Sequence, residues 1–116
     1  MRMKLIVALV SDDRTDAVIE AGRSGGATGA TIITSVRGEG MEPRKTFLGL
    51  QFEDQRDLVL FIVADTRARH ILEGIRDAGH FDDESGSGIA FQVDIEDVVG
   101  LGSQLSAIRD EVKQEI

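Results

Sequence analysis

Two six-residue apolar runs constrain the fold more than anything else in this chain: Leu5-Ile6-Val7-Ala8-Leu9-Val10 and Leu58-Val59-Leu60-Phe61-Ile62-Val63. Both are continuous, β-rich and bounded by polar residues, which predicts strands buried on both faces. A helical pattern follows each. Asp12 or Asp13 can cap a helix over about 14–24 that turns Ala17, Val18 and Ala21 inward and stops at Gly25-Gly26. Asp65 can cap a second helix over about 66–78, where Ala68, Ile71, Leu72, Ile75 and Ala78 keep the 3.6 period and Gly79 supplies the stop. A strand over about 28–37 follows the first helix. One over about 88–94 follows the second, with a short strand over about 96–101 after it. Residues 103–116 predict a last helix, with Ser103 as cap and Leu105, Ile108 and Val112 as its stripe.

Strand, helix, strand, repeated once, is the ferredoxin-like split βαβ pattern of an α+β fold, βαββαβ, with both helices on one face of an antiparallel sheet. At 116 residues the chain reads as one domain, 1–116, with a core over about 4–102. Between the halves lies an irregular stretch over about 38–54 that holds Gly38, Gly40, Pro43 and Gly49. Loops this long in compact domains are usually functional. Its Phe47, Leu48, Leu50 and Phe52 form an apolar patch if they face solvent. Two helices cover only one sheet face, and the last helix is too short to cover the other. The cheapest cover is another copy, so the pattern predicts a homo-oligomer whose sheets pack together.

Composition removes several classes of function. With no Cys the chain has no disulfide, thiolate metal site or thiol chemistry. A net charge of −8 argues against binding the phosphate backbone of nucleic acid. The N-terminal apolar run meets Ser11-Asp12-Asp13-Arg14 without a small-residue cleavage site, so it reads as a strand rather than a signal peptide. No apolar segment approaches the length of a membrane span. Without Cys or Tyr, and with only two His, no nucleophile–base constellation emerges, and the chain does not read as an enzyme. His80, Asp82, Asp83 and Glu84 read as a solvated acidic turn before a metal site.

Five segments occur in order on these elements: Thr28-Gly29-Ala30-Thr31, Arg37-Gly38-Glu39-Gly40, Phe61-Ile62-Val63-Ala64-Asp65, Gly86-Ser87-Gly88-Ile89-Ala90-Phe91 and Asp97-Val98-Val99-Gly100. Together they resemble the PII signalling family over about 4–102, and within it the divergent PII-like proteins. The resemblance implies a cytoplasmic homotrimer, a T-loop over about 38–54 that engages a membrane transporter or an enzyme, and three intersubunit clefts for an adenine nucleotide. It places Thr31, Gly38, Ile62, Gly86, Ser87 and Gly88 where the family contacts nucleotide. Arg56 falls where the family's lysine binds 2-oxoglutarate.

The departures narrow the ligand. The family's lysine after the Gly-x-Gly turn is Ile89, and its two arginines leaving the core are Gly100 and Gly102. A charge-assisted contact is worth ~1.5–3 kcal/mol, so losing three phosphate-facing cations weakens triphosphate binding by several orders of magnitude. The glutamine that helps to hold magnesium and 2-oxoglutarate is Glu39, which argues against 2-oxoglutarate, and the absence of Tyr removes the family's T-loop modification. What remains is AMP, ADP or ATP held through glycine amides and the helix N-terminus after Gly100-Leu101-Gly102-Ser103, or a small anion such as bicarbonate. Arg37, Arg44 and Lys45 are the cations at hand. A ligand-free assembly trimer and a metal-responsive ferredoxin-like trimer are the alternatives.

Overall fold

The computed structural model describes residues 2–37, 46–47, 50–51 and 55–113. Its elements are β1 (Met3–Ser11), a 3₁₀ turn (Asp12–Arg14), α1 (Thr15–Ser24), β2 (Thr31–Arg37), β3 (Thr46–Phe47), β4 (Leu50–Gln51), β5 (Gln55–Ala64), α2 (Asp65–Gly79), β6 (Gly88–Ile95) and α3 (Leu105–Lys113). The main sheet has the order β2-β5-β1-β6, and every neighbouring pair is antiparallel. Within the connection between the halves, β3 and β4 pair as a separate short ladder. This is the expected ferredoxin-like arrangement, in which each helix carries the chain across one intervening strand. The rest of the expected T-loop, Gly38 and Glu39 included, lies outside the described residues.

One sheet face carries the core. Ile6, Ala8 and Val10 of β1 and Val59, Phe61 and Val63 of β5 are buried against Val18 of α1 and Ala68, Ile71 and Ile75 of α2. In α1 the buried residues are Thr15, Val18 and Gly22, one stripe at helical spacing. Ala17 is exposed, against expectation, and Ala21 only partly buried. Gly22 fixes how close α1 comes to the sheet, because a β-carbon there would lie 2.5 Å from Cζ of Phe61.

On the other face the single chain leaves β1 and β5 without a full cover, as the count of helices against sheet faces predicts. Burial alternates along both strands. The register aligns three apolar rows on the uncovered face: Leu5–Ile62–Val93, Val7–Leu60–Phe91 and Leu9–Leu58–Ile89. In these rows the β1 and β5 residues are partly buried by their neighbours, while Ile89, Phe91 and Val93 are 59%, 46% and 41% exposed. Helix α3 covers one end only, where Ile108 buries Met3 and Ala64 with Ile62, Ile95 and Leu101 around them. The continuous apolar runs thus encode one filled face and one open one.

At five places the structure differs from what the local signals predict. Asp12 and Asp13 do not cap α1: they form the 3₁₀ turn, and Arg14 occupies the cap without a side-chain hydrogen bond. Asp65 is the first residue of α2 rather than its cap, which is Ala64. Gly79 remains helical, and His80 takes the left-handed position after it at φ 55°. The short strand expected over 96–101 does not form, and Val99 there is 95% exposed. Strand β2 begins only at Thr31 and is broken by a bulge between Ile33 and Val36, where Ser35 adopts φ 60°.

Candidate functional site

The turn that links α2 to β6 is held from within. After His80 ends the helix, the Phe81 ring folds back between Gly79 and Gly88. A β-carbon at Gly79 would lie 2.7 Å from Cδ1 of that ring, and one at Gly88 would lie 2.8 Å from its Cζ and 2.7 Å from the Leu9 carbonyl oxygen. The Ser87 hydroxyl lies 2.8 Å from the carbonyl oxygens of both His80 and Glu84. The Ser11 amide donates to the Ser87 carbonyl at 3.0 Å, which ties the turn to the end of β1. Gly86, at φ 77°, stands at the exposed tip. Only a residue without a β-carbon adopts that conformation at no cost.

This turn forms one wall of a cleft of about 520 Å³. The second wall is Ser11-Asp12-Asp13-Arg14, and the floor is the start of β5, Gln55 and Arg56. Register brings them together, since Arg56 stands opposite Ser11 on one side and Val36 on the other. Across the cleft mouth Arg14 Nη2 and Glu84 Oε2 pair at 2.5 Å. The Ser11 hydroxyl bonds Asp13 Oδ1 at 2.7 Å. Behind it, Thr15 Oγ1 donates to Asp57 Oδ2 at 2.7 Å. Arg56 is different: its Nε is buried and has no hydrogen-bond partner. Its Nη2 lies 3.8 Å from where a β-carbon of Gly86 would stand. Two arginines against three carboxylates leave the cleft with one negative charge in excess.

The residues singled out from the sequence are spread over three places. Arg56, Gly86 and Ser87 meet in the cleft, with Arg37 nearby at the end of β2, opposite Gln55. Gly88 and Ile89 border a smaller hollow of about 260 Å³ between β6 and α2, beside Phe81. Gly100, at φ 93°, and Gly102 come after β6 at the opposite end of the sheet, flanking the Leu101 that packs with Met3 and Ile108. Ile62 stands towards that end, opposite Leu5, and Thr31 stands opposite Leu60. Nine residues of β1 separate the two ends, which is roughly 25 Å at strand rise. One chain therefore does not bring its own glycine stretches together. The cleft walls at Asp12, Asp13, Arg14, Gln55 and Glu84 were not foreseen. Their signal was a charged tetrapeptide directly after a strand, which also reads as a helix start.

His80 Nδ1 lies 3.5 Å from Asp83 Oδ2, and among the described residues no three His, Asp or Glu side chains converge to hold a metal. None of the helices among the described residues is long and apolar enough to cross a membrane.

A four-stranded antiparallel sheet with its helices split two and one across the faces, and a glycine turn bordering a charged cleft at one end, defines a ferredoxin-like α+β protein of the PII type. The chain belongs to the nitrogen regulatory protein P-II family, whose sequence model matches residues 3–104. Among curated proteins none matches it significantly.

Proposed function

We propose that the protein is a PII-like trimeric regulator rather than an enzyme. In this reading it works in the cytoplasm, binds an adenine nucleotide or a small anion such as bicarbonate in clefts between its subunits, and acts through the 38–54 segment on a membrane transporter or an enzyme. The observation that carries the reading is the placement of the two glycine groups. Gly86 and Ser87 lie at one end of the sheet, Gly100 and Gly102 at the other. A site that uses both needs a second chain to supply one of them. The uncovered apolar rows favour the same assembly, because fully burying a side chain such as Leu, Val or Phe contributes about 1.5–3 kcal/mol.

The cations present argue for a ligand less charged than ATP with magnesium. Ile89, Gly100 and Gly102 offer no positive charge, and the cleft around Arg56 carries excess negative charge. Dianionic 2-oxoglutarate is disfavoured on the same ground. Calorimetry with AMP, ADP, ATP and cyclic AMP, each with and without bicarbonate, tests the ligand. Saturable heat is expected for at least one of them, and none for any would remove the ligand-binding reading. Sedimentation at micromolar concentration tests the trimer, and a monodisperse monomer would remove it.

A further inference from the structure

We infer that the cleft between the Ser11–Arg14 turn and the Gly86 turn takes a zwitterion: an α-amino acid whose carboxylate meets Arg56 and whose ammonium meets Asp12 and Asp13. This names a ligand class for one part of the cleft proposed above, which shares Arg56, Gly86 and Ser87, and it rests on that reading of the site; every side chain it uses comes from one chain.

The argument is one of unmatched charge. Arg14 and Glu84 neutralise each other at 2.5 Å. That leaves Arg56 on the floor and Asp12 and Asp13 on the wall. Arg56 is partly exposed to the cleft and its Nε is sealed from solvent without an acceptor. A ligand in the cleft therefore meets the outer guanidinium nitrogens, and a charged donor without a partner is costly. The guanidinium fork matches a carboxylate in two-point geometry. The bare Cα of Gly86 leaves its Nη2 side uncrowded, the nearest approach of a β-carbon there being 3.8 Å. On the wall, neither Asp12 nor Asp13 has a basic partner among the described residues. Asp13 accepts only from the neutral Ser11 hydroxyl, at 2.7 Å.

Each simpler ligand leaves one of these groups unmet. A monocarboxylate or bicarbonate reaches Arg56 but brings nothing to the two aspartates. A dicarboxylate or a phosphate adds negative charge beside them. A diamine satisfies the aspartates and leaves Arg56 as it is. A ligand that carries both an anion and a cation answers both, and the excess negative charge ranks basic amino acids above acidic ones. A cleft of about 520 Å³ lies within the usual range for small-molecule sites.

Three isosteric probes separate the terms: L-norleucine, hexanoate, which lacks the ammonium, and pentylamine, which lacks the carboxylate. L-lysine and 2-oxoglutarate complete the set, titrated into the full chain by calorimetry. Norleucine and lysine are expected to bind, with hexanoate and pentylamine each at least about tenfold weaker, the weight of one charge-assisted contact. Arg56→Gln is expected to lose at least about tenfold for norleucine. The double variant D12N/D13N changes two exposed side chains without altering their shape, so it tests the inference even if Arg56→Gln does not fold. It is expected to lose norleucine affinity and to gain affinity for 2-oxoglutarate. Hexanoate binding as tightly as norleucine, norleucine binding unchanged in D12N/D13N, or no binding of either amino acid at millimolar concentration would each overturn the inference. The nucleotide titrations and the sedimentation run are read separately, so a failure of the nucleotide or trimer reading is distinguished from a failure of this inference.

Discussion

The ring of Phe81 leaves no room for a β-carbon at Gly88: an added methyl would lie 2.8 Å from Cζ of the ring and 2.7 Å from the carbonyl oxygen of Leu9. The second contact is with backbone, which cannot turn aside. Overpacking of this kind costs about 1–3 kcal/mol. Gly88→Ala should therefore lower the urea midpoint without changing the denaturant slope. Phe81→Leu in the same chain should recover only part of the loss, since it relieves the ring but not Leu9. Full tolerance of the methyl group would mean that β6 does not approach β1 as described.

The uncovered sheet face gives a second prediction. Phe91 lies in its middle row beside Val7 and is 46% exposed in the single chain. Phe91→Asp should leave far-ultraviolet circular dichroism unchanged, because the core on the opposite face is untouched. It should convert an oligomer to a monomer in sedimentation. An oligomer that survives this charge would place the interface elsewhere.

The third concerns acid. A hydrogen bond from Lys4, reinforced by the charge of that lysine, holds the Asp94 carboxyl below its ordinary value of 3.8. A carboxylate depressed on folding stabilises the fold above its unfolded pKa, and that contribution is lost as pH falls through the folded value. Asp94→Asn should thus lower stability slightly at neutral pH, and the difference should vanish in strong acid. Because both groups are on the surface, added salt should shrink it at neutral pH as well. Equilibrium unfolding of the two proteins across pH, at low and high salt, measures this.

A fourth prediction rests on Ser35, a residue with a β-carbon held at φ 60° in an edge strand. The left-handed region costs an L-residue about 1–2 kcal/mol, and glycine avoids that cost while losing about 0.5–1 kcal/mol of chain entropy. Ser35→Gly should raise the melting temperature modestly. A clear drop would show that the Ser35 side chain makes a contact worth more than the strain.

The strands and both long helices were legible because their signals are local. Residues such as Ile71 and Ile75 repeat at helical spacing, and Leu58–Val63 is short, continuously apolar and rich in strand-forming residues. That only one face of the sheet is filled could be argued by counting helices against faces, before any coordinates. The cleft was not legible. Ser11, Arg56 and Ser87 become neighbours only through the β1–β5 register and one amide–carbonyl bond. The charges at Asp12 and Asp13 have an equally good local explanation as a helix start. Gly88 carries a packing reason of its own beside the ligand contact that the resemblance implies: a β-carbon there would meet a phenylalanine ring and a strand carbonyl.

The bulge in β2 has a further consequence, for what the sheet does at high concentration. An edge strand with free amides is a template on which further strands add without limit. Beyond Ile33 the left-handed Ser35 breaks the repeat before it resumes at Val36, so an incoming strand finds only a short straight run, Thr31–Ile33, to copy. Growth by addition at this edge is interrupted at its first step. Of the two edges of the sheet only β6 keeps an unbroken run, Gly88 to Ile95, so open-ended addition is confined to one side of the molecule.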